Sequence, residues 1–104
     1  MYAGRIVERA LTEDIFARPA HPYSEALLRS VPRPDQLARG PLPSIPGLPP
    51  DLAALPVGCS FEPRCPVGNG KEICRETEPQ PVLLGFENRQ VLCECHFAVE
   101  RFSR

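Results

Sequence analysis

Cys59, Cys65, Cys74, Cys93 and Cys95 all lie in the second half of the chain, and His96 follows the last of them directly. Thiolates are soft donors that share one inorganic centre well, so the stretch from Gly58 to Phe97 is predicted to hold a metal or an iron–sulfur cluster. The gaps between these cysteines are five, eight, eighteen and one residues. None is the two-residue gap of a zinc ribbon, and a generic zinc pattern fits poorly. A cubane cluster needs four thiolates and tolerates irregular loops, because backbone amides donate hydrogen bonds to its sulfides. Phe61, Val67, Ile73 and Phe97 are candidates to exclude water there, and Arg64, Lys71, Arg75 and Arg89 to offset negative charge. The bland alternative is a set of ordinary buried or surface thiols, and their density argues against it.

The histidines carry weaker signals. His96 either completes a three-cysteine, one-histidine zinc site or merely neighbours a ligand; the second reading is favoured, because a lone histidine beside a ligand is more often a bystander. His21 is better explained by helix capping or packing than by catalysis. Gly70-Lys71 resembles the end of a phosphate-binding loop, but Glu72 stands where Ser or Thr must hold magnesium, and Cys65 occupies the position of the first glycine. Such a chain cannot cradle a nucleoside triphosphate alone.

The elements that position these residues are modest. At 104 residues the chain makes at most one small domain, and its 14 prolines interrupt helices and ladders. Without a metal, a disulfide or a partner surface, independent stability is doubtful at this size. Tyr2 to Arg9 reads as a strand or hairpin edge with Gly4 as a bend. Thr12 before Glu13 and Asp14 reads as an N-cap with acids in the first turn, and Pro19 ends that short helix. Pro22 suits the first position of a second helix, which places Tyr23, Ala26, Leu27 and Ser30 on one face. From Pro32 to Pro56 there are eight prolines in 25 residues, the mark of an extended connector. Ile45, Leu48, Leu52 and Leu55 are spaced to lay it along a surface. Val82 to Leu84 and Gln90 to Leu92 are predicted strands.

The fold class expected is therefore a small irregular α+β arrangement: an N-terminal strand and two short helices, a proline-rich extended connector, and a loop-rich cysteine module with short strands. The corresponding divisions are 1–31, 32–57, 58–97 and a tail at 98–104. The net charge of −1 offers no basic face for nucleic acid. No apolar run is long enough to span a membrane, and the start lacks the pattern of a signal peptide. Reduced cysteines are then the default, which ranks metal binding above a disulfide module.

Several phrases together resemble one family. These are Met1-Tyr-Ala-Gly-Arg-Ile-Val-Glu8, Ile15-Phe16, Pro19-Ala-His-Pro-Tyr23, Ala26-Leu-Leu28 with Pro32, and Ser44-Ile-Pro-Gly-Leu-Pro-Pro50. Gly58-Cys-Ser-Phe-Glu-Pro-Arg-Cys-Pro66, Cys74 and a final Cys-His follow in order. The set resembles the C-terminal region of the ATP-binding subunits of bacterial oligopeptide and dipeptide (peptide/nickel) ABC importers. The resemblance implies an accessory segment of such a subunit, at the cytoplasmic face of the membrane. Its partners would be the upstream ATPase core, a paired ATPase subunit and membrane permease subunits. It also implies a [4Fe–4S] cluster, carried onto Cys59, Cys65 and Cys74. The fourth ligand stays open: Val91-Leu92-Cys93 resembles the family's Val-x-Cys ending, and Cys95-His96 its Cys-His ending. Cys95 is the first choice and Cys93 the competitor. Walker A, Walker B, the signature sequence and the switch histidine are absent from these 104 residues. ATP and its hydrolysis would belong to a parent protein, the chain being a truncated reading frame or a fragment that begins at an internal methionine. The cluster is expected to be structural. A different class of reading is a stand-alone zinc-binding interaction module using Cys59, Cys65, Cys74 and either Cys95 or His96.

Overall fold

The computed structural model describes residues 1–30, 44–85 and 90–102. In chain order it contains β1 (Glu8–Arg9), α1 (Thr12–Ala17), α2 (Pro22–Arg29), a 3-10 turn (Glu62–Arg64), α3 (Glu72–Glu76), β2 (Val82–Leu84), β3 (Val91–Cys93) and α4 (Ala98–Phe102). The three strands form one antiparallel sheet in the order β1-β3-β2, with Cys93 opposite both Glu8 and Val82. This is a small α+β fold, as the sequence predicts.

The N-terminal arm opens with a tight hairpin turn. Tyr2 and Arg5 exchange both backbone hydrogen bonds, at 2.8 and 3.0 Å, across Ala3 and Gly4. Both central residues have positive φ, 51° and 79°, as a two-residue turn of this hand requires. Past the turn, Glu94 donates its N–H to the Val7 carbonyl at 2.8 Å, continuing the pairing begun by β1 and β3. The two ends of the chain thus share one sheet.

Three local expectations change. Leu11, not Thr12, holds the cap position of α1: its backbone is extended, and its carbonyl accepts from Asp14 and Ile15. Thr12 is already helical, so its hydroxyl makes no cap bond, while Glu13 and Asp14 do fall in the first turn. The last strand runs one residue later than expected, at Val91–Cys93. Residues 98–102, expected within a tail, form α4. Arg101 anchors that helix by donating Nε–H to the Ala20 carbonyl at 2.9 Å and by pairing with Glu25.

Two apolar clusters make the interior. One lies on the sheet and contains Ala20, Leu84, Val91, Cys93, Cys95 and Ala98. The other contains Tyr2, Val7, Phe61 and Cys65, with Tyr23 and Ile45 packed against it. Tyr2, Tyr23 and Phe61 meet edge-to-face with ring centroids 4.7 to 5.4 Å apart, a favoured aromatic geometry. Tyr23 therefore serves this interior, whereas Ile6, Phe16 and Leu27 remain exposed. Of the connector, residues 32–43 lie outside the described residues. In the remainder Ile45 packs inward, but Leu48 and Leu52 are 84% and 70% exposed and do not hold the segment down. Arg64 does so instead, donating to the Ile45 and Pro46 carbonyls at 3.2 Å each.

Candidate metal centre

Backbone pairing brings Cys59 to Cys74. Gly58 donates to the Arg75 carbonyl at 3.2 Å and Cys59 to the Cys74 carbonyl at 2.8 Å. The approach demands glycine, since a Cβ at position 58 would stand 2.4 Å from the Cys74 carbonyl oxygen. The 3-10 turn then carries the chain to Cys65, whose amide donates to the Glu62 carbonyl at 3.2 Å. Beyond Cys65 the loop folds back: Asn69 Nδ2 donates to the Glu62 and Pro63 carbonyls, and Gly70 N–H to the Glu62 carboxylate at 2.9 Å. Gly70 has φ +84°, which favours glycine there. Lys71 then caps α3, which carries the buried Cys74.

Cys59, Cys65, Cys74 and Cys95 line one cavity, together with His21, Phe61, Gly68, His96 and Phe97 among others. Cys93 does not line it. That side chain is fully buried on the sheet among Leu84, Val91 and Ala98. Two backbone amides point at the cavity's sulfurs: Gly68 N–H donates to Cys65 Sγ at 3.2 Å and Phe97 N–H to Cys95 Sγ at 3.4 Å. A Cβ on Gly68 would stand 2.6 Å from Cys74 Sγ and 3.9 Å from Cys65 Sγ, so glycine keeps this wall clear. Among the described residues, no three His, Cys, Asp or Glu side chains are grouped tightly enough to ligate one metal ion.

Four of the thiols, Cys59, Cys74, Cys93 and Cys95, resist ionisation where they stand. Burial raises the pKa of Cys59 and Cys74, and the nearby thiols add to it, Cys65 in both cases and Cys59 in the second. Burial, with Cys65 and Cys59 adding to it, pushes Cys95 up to about 11. Cys93 is raised too, by burial first and then by Cys95. A cationic centre bound among the cavity thiols would reverse this, since coordinated thiols lose their protons.

The second wall is set by α2. Both oxygens of Glu8 accept from the two amides just before it, those of Ala20 and His21, at 2.9 Å each. His21 caps the helix as expected, its Nδ1 accepting from Tyr23 N–H at 3.0 Å. The same ring, 1% exposed, also lines the cavity, a placement the sequence reading missed. Burial, then the charge of Arg101, lowers its pKa to about 4, and the ring is neutral. His96 Nε2 lies 2.6 Å from the Thr77 carbonyl, which only accepts, so this nitrogen is a donor and is not available to a metal.

The other helpers fall out differently. Phe61 and Phe97 line the cavity, but Ile73 is largely exposed and Val67 packs in the aromatic cluster. Lys71 Nζ sits over the Phe97 ring, 4.4 Å from its centroid, while Arg64 is engaged by the connector. Arg89 lies outside the described residues. Gly58, Gly68 and Glu8 are positioning residues; of these the sequence marks only Gly68 as a turn residue, opening the Gly-Asn-Gly turn between Cys65 and Cys74. Gly58 directly precedes Cys59, a further usable signal; nothing local marks Glu8.

Residues 7–74 match the family model described as the oligopeptide/dipeptide transporter, C-terminal region. The chain belongs to this family. A probable peptide ABC transporter ATP-binding protein of Sinorhizobium fredii is 53% identical over 79 residues, covering 76% of this chain and 23% of the relative. The oligopeptide transport ATP-binding protein of Salmonella typhimurium is 49% identical over 79 residues, covering 76% of this chain and 23% of the relative. The corresponding protein of Haemophilus influenzae is 40% identical over 103 residues, 99% of this chain and 30% of the relative. The chain thus spans less than a third of the curated relatives it matches. The family match includes Cys59, Cys65 and Cys74 and stops before Cys93 and Cys95, so it does not choose between them.

Proposed function

We propose that these residues are an accessory segment of a peptide-importing ABC ATPase subunit, and that Cys59, Cys65, Cys74 and Cys95 hold a structural [4Fe–4S] cluster. One observation carries the reading: four of the five thiols converge on a single cavity and the fifth is packed into the sheet. The donor set suits the group. Four sulfurs are present, amides already point at two of them, and Gly68 leaves room beside two. A single zinc ion draws every sulfur to about 2.3 Å from one point. A cubane gives each thiolate its own iron, and so takes donors that stand farther apart. When bound, the cluster supplies iron–thiolate bonds that cross-link the loops, and a one-electron couple.

The chain's own residues do the rest. The Gly58–Cys59 pairing with α3 and the Glu62-bonded loop fix three thiols, and Glu94, hydrogen-bonded to Val7, delivers the fourth. Exposed Ile6, Phe16 and Leu27 would face the remainder of the ATP-binding subunit, which supplies the nucleotide site this segment lacks. Through that subunit the segment would sit peripherally at the cytoplasmic face, alongside a paired ATPase and permease subunits. No helix among the described residues is long and apolar enough to cross a membrane.

Anaerobic purification with iron, acid-labile sulfide and zinc analysis tests the reading. Brown protein with about four irons and four sulfides per chain is expected from the four-thiolate cubane. Colourless protein with one zinc per chain supports a zinc-binding module instead, and folded protein with neither metal removes both.

A further inference from the structure

His21 lines the cysteine cavity and carries a buried nitrogen with no hydrogen-bond partner among the described residues. Its Nδ1 accepts from Tyr23 N–H, so in the neutral ring the proton resides on Nε2. Nε2 is buried and has no hydrogen-bond partner among the described residues. The Glu94 carbonyl is the competing acceptor, close enough to the ring to raise its pKa. A buried N–H left without an acceptor costs free energy on the order of 1–3 kcal/mol. The ring is held where it is by three independent bonds: the Tyr23 cap and the two amides clamped by Glu8.

We infer that His21 donates Nε2–H to a sulfur of the group bound by Cys59, Cys65, Cys74 and Cys95, and that this bond sets the group's reduction potential. The inference rests on the cluster reading above. Hydrogen bonds to cluster sulfurs stabilise the more negative, reduced state and so raise the potential. On reduction one electron enters the cluster from the titrant, no bond breaks, and the proton stays on Nε2. His21 is thus a positioning and tuning residue rather than a ligand.

The test is a dithionite titration of anaerobically purified protein, comparing His21 with His21→Asn and His21→Phe. Asparagine keeps an oxygen for the Tyr23 amide and withdraws the ring; phenylalanine fills the ring's space without a donor. Both variants are expected to keep their iron and sulfide, with a midpoint more negative by about 59 mV, a tenfold change in the one-electron equilibrium. Full iron with an unchanged midpoint overturns the inference and leaves the cluster reading intact. Absence of iron and sulfide from unsubstituted protein removes the cluster reading itself. A second measurement covers variants that fail to fold. In His96→Gln protein, whose one remaining histidine is His21, nitrogen-15 label should couple to the reduced cluster's electron spin together with an exchangeable proton. Absence of both couplings places the Nε2 proton on another acceptor, with the Glu94 carbonyl first in line.

Discussion

The three-stranded sheet and the cysteine cavity are both interior, but they are built in different ways. The sheet uses regular pairing: Val91 and Cys93 turn the same way from β3, and Leu84 of β2 joins them in an apolar cluster. Cys93 acts there as a small hydrophobe, with burial holding its thiol protonated. The cavity is made of loops whose close approaches depend on Gly58 and Gly68 and whose turn depends on Gly70, and four thiols and two histidines are among its lining residues. Cys95 belongs to both regions, since it packs on the sheet cluster and also lines the cavity. The comparison shows that a thiol's neighbours, not its place in a cysteine-rich stretch, decide whether it is packing or a ligand.

The sharpest way to break that contrast is a cysteine substitution in each region. Cys65→Ser should abolish iron binding and remove most soluble protein with it, because the metal's binding energy is folding energy in a domain this small. Cys93→Ala should keep the full iron and sulfide content and lower stability by only about 1 kcal/mol, the worth of one buried methylene-sized group, read by urea denaturation. Iron lost from Cys93→Ala and kept in Cys95→Ala would exchange the roles of the two residues.

Acid should act through the cavity wall. His21 has a folded pKa of about 4 against 6.5 for the free side chain, so the unfolded chain takes up the proton first as pH falls. The stabilisation is complete above pH 6.5, is lost between 6.5 and 4, and falls no further below that. Over this window it amounts to roughly 3 kcal/mol, at about 1.4 kcal/mol per pH unit. Urea midpoints at pH 7 and pH 4.5 measure it, and His21→Asn should flatten that part of the profile.

Smaller changes probe the loops. Gly68→Ala places a methyl 2.6 Å from Cys74 Sγ and should cost about 1–3 kcal/mol by overpacking, with reduced iron occupancy. Equal occupancy in that variant would mean the cavity wall yields more easily than the sheet core. Lys71→Ala removes the ammonium from the face of Phe97 at the cavity's edge and should cost about 0.5 kcal/mol, with iron retained.

Much of this was legible in the residues. Pro19 and Pro22 bound the two helices because a ring without an N–H stops one helix and starts another, and α1 and α2 follow them. The strands at 82–84 and 91–93 come from short apolar runs between turn signals. The cap of α1 was misplaced because an N-cap side chain and a first-turn side chain share the same residue preferences, and only the extended backbone of Leu11 separates them. Residues 98–102 carry no cap or period strong enough to announce a helix; Arg101's bonds to Ala20 and Glu25, far away in sequence, supply what holds it.

By itself the sequence determined that this chain is rich in thiols, poor in apolar interior, and a member of a transporter family, because composition, spacing and phrase order are properties of the chain in one dimension. Tertiary structure alone decided which thiols meet. Cys93 and Cys95 lie on the same side of any extended strand, and only the end of β3, with Glu94 bonded to Val7, lets the second reach the cavity. The placement of His21 is decided the same way, by a carboxylate on β1 that grips the start of α2. Such long-range contacts depend on shape and burial, which no local pattern records.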